Sequence, residues 1–135
     1  KYIKSWHPLI LVSDLMYLEK GGRLNTAAAV LGTLLDVKPV LTISEGLVDV
    51  ESKLRGKKKI FKKLCDMAGE YEGFDEDAKE FIVIDSDKAM GDELEAMVKD
   101  EFETDNGVLR SEFGPLIGTN LGAGAAAIVF KVKEM

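Results

Sequence analysis

"PVLTISEGLVDVESKL", residues 39–54, decides the fold class. Its two halves each alternate apolar and polar residues with a period of two, the pattern of strands with one face buried, and Glu45-Gly46 between them supplies the turn. The stretch therefore reads as a β-hairpin. Working outward, "PLILVS" (8–13) is a short apolar run after a proline and reads as a buried strand. Asp14 can cap a following helix with Leu15, Tyr17 and Leu18 inward, which Gly21 and Gly22 stop. Asn25 or Thr26 caps a second helix, "AAAVLGTLL" (27–35), whose face is unusually small.

Beyond the hairpin, Ile60, Phe61, Leu64 and Met67 recur at three- and four-residue spacing and predict a helix with lysines beside the apolar stripe. "EFIVIDSD" (80–87) is a strand, and "KAMGDELEAMVKDEF" (88–102) is a helix with Met90, Leu94, Met97 and Val98 inward. "GVLRSEFGP" (107–115) reads as a strand ending at Pro115. A glycine-bearing turn then leads to a last strand centred on 126–130. The order β, α, α, β, β, α, β, α, β, β fits no simple βαβ alternation. It predicts an α+β fold: a mixed β-sheet with helices packed against it, of the two-layer sandwich type.

The chain has 135 residues, 46% hydrophobic and 31% charged, which is material for one domain over 1–135 with a single core. No apolar run approaches the roughly 20 residues of a membrane span, and no signal-peptide pattern opens the chain, so a cytoplasmic protein is expected. The first residue is Lys1 rather than methionine, and an apolar strand follows almost at once, as in a piece of a longer protein. A lone Cys65 and a lone His7, far apart in sequence, exclude a disulfide and argue against a structural zinc site. The net charge of −6 speaks against nucleic acid as a partner. Charge is uneven, however. "KLRGKKKIFKK" (53–63) holds seven of the eighteen basic side chains, whereas Asp66 to Asp105 holds sixteen acids against Lys79, Lys88 and Lys99.

Phosphate-loop, dinucleotide and nucleophile–base patterns are absent, so the inventory is that of a binding protein rather than an enzyme. Two glycine elements remain. In "EKGGRL" (19–24) the paired glycines can aim Arg23, whose planar fork suits a carboxylate or phosphate; a plain helix stop with a surface arginine is the alternative. In "GTNLGAG" (118–124), Thr119 and Asn120 offer side-chain hydrogen bonds, and Gly118, Gly122 and Gly124 expose backbone amides, an arrangement able to hold an anion. An ordinary turn between strands is the alternative here.

Taken in order, "DLMYLEKGGRLNTAAAVLGTLLDVKPVLTISEGLVDVESKLRGKKK" (14–59) and "GPLIGTNLGAGAAAIVF" (114–130) resemble the signature of the DegV family across nearly the whole chain. The resemblance is to the second, C-terminal domain of a two-domain fatty-acid-binding protein, and implies an N-terminal half outside this sequence. It further implies a long-chain fatty acid as ligand with no other cofactor or metal. A fatty acid kinase would be the partner that phosphorylates the acyl head group. Under this resemblance Arg23, Arg55, Thr119, Asn120, Gly122 and Gly124 serve the head group or the partner, and Asn120 stands where the family has histidine. Ala28, Leu31, Leu35 and Leu41 are the candidates for lining the acyl chain, each open to the plainer reading of ordinary core. The competing expectation is an interaction domain of the same fold that has lost the lipid and docks an acidic partner through its Lys-rich helix.

Overall fold

The structure, a computed structural model, describes residues 6–12, 37–44, 47–55, 59–104, 107–113 and 124–133. Within them lie strands β1 Trp6–Val12, β2 Val37–Ser44, β3 Leu47–Arg55, β4 Phe81–Asp85, β5 Val108–Glu112 and β6 Ala125–Lys131. Two helices, α1 Ile60–Glu70 and α2 Lys88–Glu101, complete them. The hairpin, both of these helices and all the expected strands form within a few residues of where the sequence pattern puts them. The two helices expected over 14–35 lie outside the described residues.

The strands make one mixed sheet in the order β3-β2-β1-β6-β4-β5. The last strand is central: β6 pairs antiparallel with β1 on one side and β4 on the other. Its continuous apolar run suits a position covered on both faces. β4 and β5 pair in parallel, as a strand–helix–strand crossover through α2 requires. β5 is the short edge strand, with Arg110 and Glu112 along it, residue types that discourage further pairing.

Alternate residues separate two cores. On one face α1 and α2 cover Leu9, Leu11, Val40, Phe81, Val83, Ala126, Ile128 and Phe130 with Ile60, Phe61, Leu64, Leu94 and Val98. Burying each such large side chain stabilises by about 1.5–3 kcal/mol. The opposite face collects Ile10, Val12, Leu41, Ala125 and Ala127, also buried, with Val50, Ile84 and Phe113 against them. Here the register sets large beside small, Ile10 opposite Ala127 and Val12 opposite Ala125. In the hairpin the Cα partners step from Val40↔Ser52 to Leu41↔Val50, so Glu51 is the extra residue of a β-bulge.

Candidate functional site

Strand directions gather the chain at one end of the sheet. β1, β3, β4 and β5 finish there, at Val12, Arg55, Asp85 and Glu112, and β2 and β6 start there, at Val37 and Ala125. The segment 13–36, which carries Arg23, Ala28, Leu31 and Leu35, leaves and rejoins the sheet at this end. So does 114–123, with Thr119, Asn120 and Gly122. These seven candidates lie outside the described residues. Arg55 ends β3 opposite Val37, and its side chain lies outside what the structure describes. Gly124, partly buried, immediately precedes β6. Arg55 and Gly124 sit on strands three positions apart, about 14 Å at the usual strand spacing. Leu41 is fully buried in the second-face cluster, opposite Ile10 of β1.

Three consecutive residues, Asp85-Ser86-Asp87, build the corner where β4 turns into α2 at this end. The buried Asp85 carboxylate accepts from Arg110 Nε at 3.1 Å and Nη2 at 2.8 Å through one oxygen, Oδ2. Arg110 spends its remaining fork on α2: Nη1 donates to Asp92 and Glu95, each at 2.9 Å, and Nη2 to the Lys88 carbonyl at 3.3 Å. Partial desolvation disfavours the cation, but the hydrogen bonds to Asp92, Asp85 and Glu95 outweigh it, and the guanidinium is held charged more firmly than usual. Lys99 first, then Arg110, hold the Glu95 carboxyl below its ordinary range. Gly91 leaves the room for this network, because a Cβ there would overlap the Arg110 guanidinium and the Asp85 carboxylate. Asp87 Oδ1 caps α2, accepting from Ala89 N at 2.9 Å and Met90 N at 3.3 Å.

The Arg110 network was not foreseen from the sequence; the local signal for it is a glycine in the first turn of a helix, within "KAMGDELEA". A second cluster missed by pattern reading surrounds His7, whose ring stacks on Tyr71 with centroids 4.0 Å apart. Its Nε2 lies 3.3 Å from Thr42 Oγ1 and 3.6 Å from Glu51 Oε2, a carboxylate supplied by the bulge residue. Burial pushes the His7 pKa down, with the Glu51 charge opposing.

The basic stretch is less available than its composition suggests. Lys62 is engaged by Glu101 at 3.0 Å and Asp66 at 3.4 Å, while Lys59, exposed, opens α1. Lys59 also borders an open groove of about 370 Å³ between the two helices, floored by Ile60, Phe61 and Met97 and rimmed by Glu93 and Asp100. Cys65 is a core residue, its thiol pushed up to about 12 by burial. Among the described residues no group of three or more His, Cys, Asp or Glu is placed to hold a metal ion, and no helix is long and apolar enough to cross a membrane.

A family model described as an uncharacterised protein of the DegV family matches residues 1–133. The chain belongs to the DegV family. A DegV domain-containing protein of Listeria monocytogenes is 34% identical over 123 residues, which are 91% of this chain and 43% of the relative. Among solved structures, the fatty acid binding DegV family protein of Streptococcus agalactiae superposes with a TM-score of 0.77 at 30% identity, covering 98% of this chain and 46% of that one. A Streptococcus pneumoniae fatty acid kinase B3 protein loaded with linoleic acid gives 0.77 at 16% identity, covering 98% and 46%. At that identity the last likeness shows the fold alone. The chain thus spans about half the length of the relatives it matches, and the mixed α+β sheet that the sequence pattern predicted matches that part of the DegV structures.

Proposed function

We propose that this chain is the C-terminal half of a fatty-acid carrier. Together with an N-terminal half it binds a long-chain fatty acid and presents the carboxyl group to a fatty acid kinase, which forms the acyl phosphate. The observation that carries this reading is the likeness to the S. agalactiae DegV protein, a fatty acid binder by its description, over 98% of this chain at 30% identity. The topology supports it, since the described strands that flank both glycine-bearing segments and the end of β3 meet at the same end of the sheet.

In this reading Arg23 and Arg55 neutralise the head group or receive the partner, and Thr119, Asn120 and the amides near Gly122 and Gly124 hydrogen-bond the carboxylate. Ala28, Leu31, Leu35 and Leu41 line the acyl chain. A dry apolar surface is all the tail requires, and the placement of Leu41 in one buried cluster with Ala125 and Ala127 on the second face is consistent with one. In this reading chemistry belongs to the partner, and the chain offers binding and orientation. Asn120 can donate and accept hydrogen bonds but takes up no proton near neutral pH, so head-group binding here does not depend on a titrating imidazole at that position. We place the protein in the cytoplasm, where a soluble kinase would meet it.

The test is the full-length protein, purified and extracted with solvent for mass spectrometry. Long-chain acids in near-stoichiometric amount are expected. Folded protein that yields none, and takes up none when offered oleic acid, would overturn the reading.

A further inference from the structure

The β4–α2 corner does more than hold a helix. Ser86 follows the last paired residue of β4, Asp85, which faces Ala126 across β6. One position further on, an antiparallel ladder would continue by exchanging two backbone hydrogen bonds between Ser86 and Ala125. Only half of that exchange is made by backbone. Ser86 N donates to the Ala125 carbonyl at 3.0 Å, as expected, but Ala125 N gives its hydrogen to Ser86 Oγ, also at 3.0 Å. The hydroxyl lies 3.4 Å from the Ala125 carbonyl as well and can return a hydrogen bond to it. Because β4 is already turning toward the capping residue Asp87, a side chain stands in for the missing carbonyl. It supplies the rung that fixes where β6 begins.

The same corner holds the departing strand. The Asp85 carbonyl accepts from Phe113 N at 2.9 Å, just past the end of β5. Two adjacent residues thus pin the chain on each side of residues 114–123, at Phe113 and at Ala125. Asp85 is in turn anchored by Arg110, so the corner has little freedom to drift. Ala125 is fully buried, which makes its amide an obligatory donor with no water to replace the lost acceptor.

We infer that Ser86 is a positioning residue for the head-group end of the site: its hydroxyl sets the start of β6 and with it the placement of Gly124. This inference rests on the fatty-acid reading above. Ser86 is not required to touch the ligand; it acts through the backbone of Ala125 and Gly124. Its effect should therefore fall on recognition of the carboxylate and spare the burial of the tail.

The experiment uses the full-length protein and two probes, cis-parinaric acid and its methyl ester, whose fluorescence rises on burial. For Ser86→Ala the acid should bind about tenfold more weakly while the ester changes less than twofold, and the Ala125 amide should exchange with solvent faster than in the wild type. Ser86→Thr, which keeps the hydroxyl, should restore acid binding. Equal losses for acid and ester would assign Ser86 a general structural role and overturn the inference, as would unchanged acid binding. If the wild-type protein binds neither probe, the fatty-acid reading itself fails, an outcome separate from any difference between the variants.

Discussion

The two helices lie on the same face of the same sheet and are held there by opposite means. α1 starts at Lys59 in a left-handed conformation, φ 61°, with no side-chain cap and with Lys62 and Lys63 at its positive end, where cations are unfavourable. It is kept by apolar contact: Ile60, Phe61, Leu64, Cys65 and Ala68 are buried, five of its eleven residues. α2 buries only Gly91, Leu94 and Val98 of fourteen, but begins with a side-chain cap, carries Lys99 in its last turn and is lashed to the sheet by Arg110. The lesson is that the helix that follows directly from the β4 corner is fixed by directed bonds. Such bonds are directional and set an orientation, whereas apolar contact mainly sets depth.

The comparison is most strongly tested by shortening the apolar anchor. Leu64→Ala removes a fully buried side chain from α1 and should cost about 2–5 kcal/mol, read as a lowered urea midpoint. Raising the salt concentration should not change that loss. Next comes Arg110→Met, which leaves the buried Asp85 carboxylate unpaired. Breaking a buried pair costs about 3–5 kcal/mol, but Arg110 keeps a quarter of its side chain exposed, so about 2 kcal/mol is expected. Adding Asp85→Asn should recover a good part of it. A full loss in the double variant would mean that shape rather than charge secures α2.

Those two anchors were not equally legible. The α1 stripe is written in residues three and four apart, and the strand alternations are equally local, so helix, hairpin and strands could be placed from pattern alone. Strand order could not: β6 enters the middle of the sheet beside β1, joining residues more than a hundred positions apart, Trp6 with Lys131. The role of Arg110 is not legible locally, because the carboxylate that it pairs with lies 25 positions away. The site candidates rest on family-like motifs and glycine chemistry, and among them Gly124, for the head group, and Leu41, for the acyl chain, fall on fully described positions. Nothing local singles out Ser86, because a serine before an aspartate is ordinary helix-start sequence.

A smaller effect separates the caps. Asp87→Ala removes the acceptor of two amides at the start of α2 and should cost about 1 kcal/mol. Lys59→Gly at the start of α1 should instead leave stability level or slightly raised, because glycine adopts the left-handed conformation without strain. Amide exchange in the first turn of each helix would show the two responses independently. A loss in both would indicate that the first turns are held by something common to them, and the contrast drawn between the helices would fail.

The least effect, and the sharpest in sign, concerns the ring that closes the far end of α1. Tyr71, its C-cap residue, stacks on His7, which meets Phe130 from β6, Thr42 from β2 and the Glu51 carboxylate from β3. Burial lowers the His7 pKa and Glu51 only partly restores it, so the folded protein resists a proton that the unfolded chain accepts near 6.5. Stability should therefore be unaffected by His7 above that pH and decline as the pH falls through it, levelling off once the folded form is protonated too. Glu95, whose pKa is lowered, adds a further loss on acidification below about 4.5, common to wild type and variant. His7→Phe keeps an aromatic ring against Tyr71 and removes the proton. Its urea midpoint should hold steady between pH 7.5 and 5.5 relative to a falling wild type. A wild type that gains on the variant over that range would show the Glu51 attraction outweighing burial, and this end of α1 would then be held by charge, as α2 is.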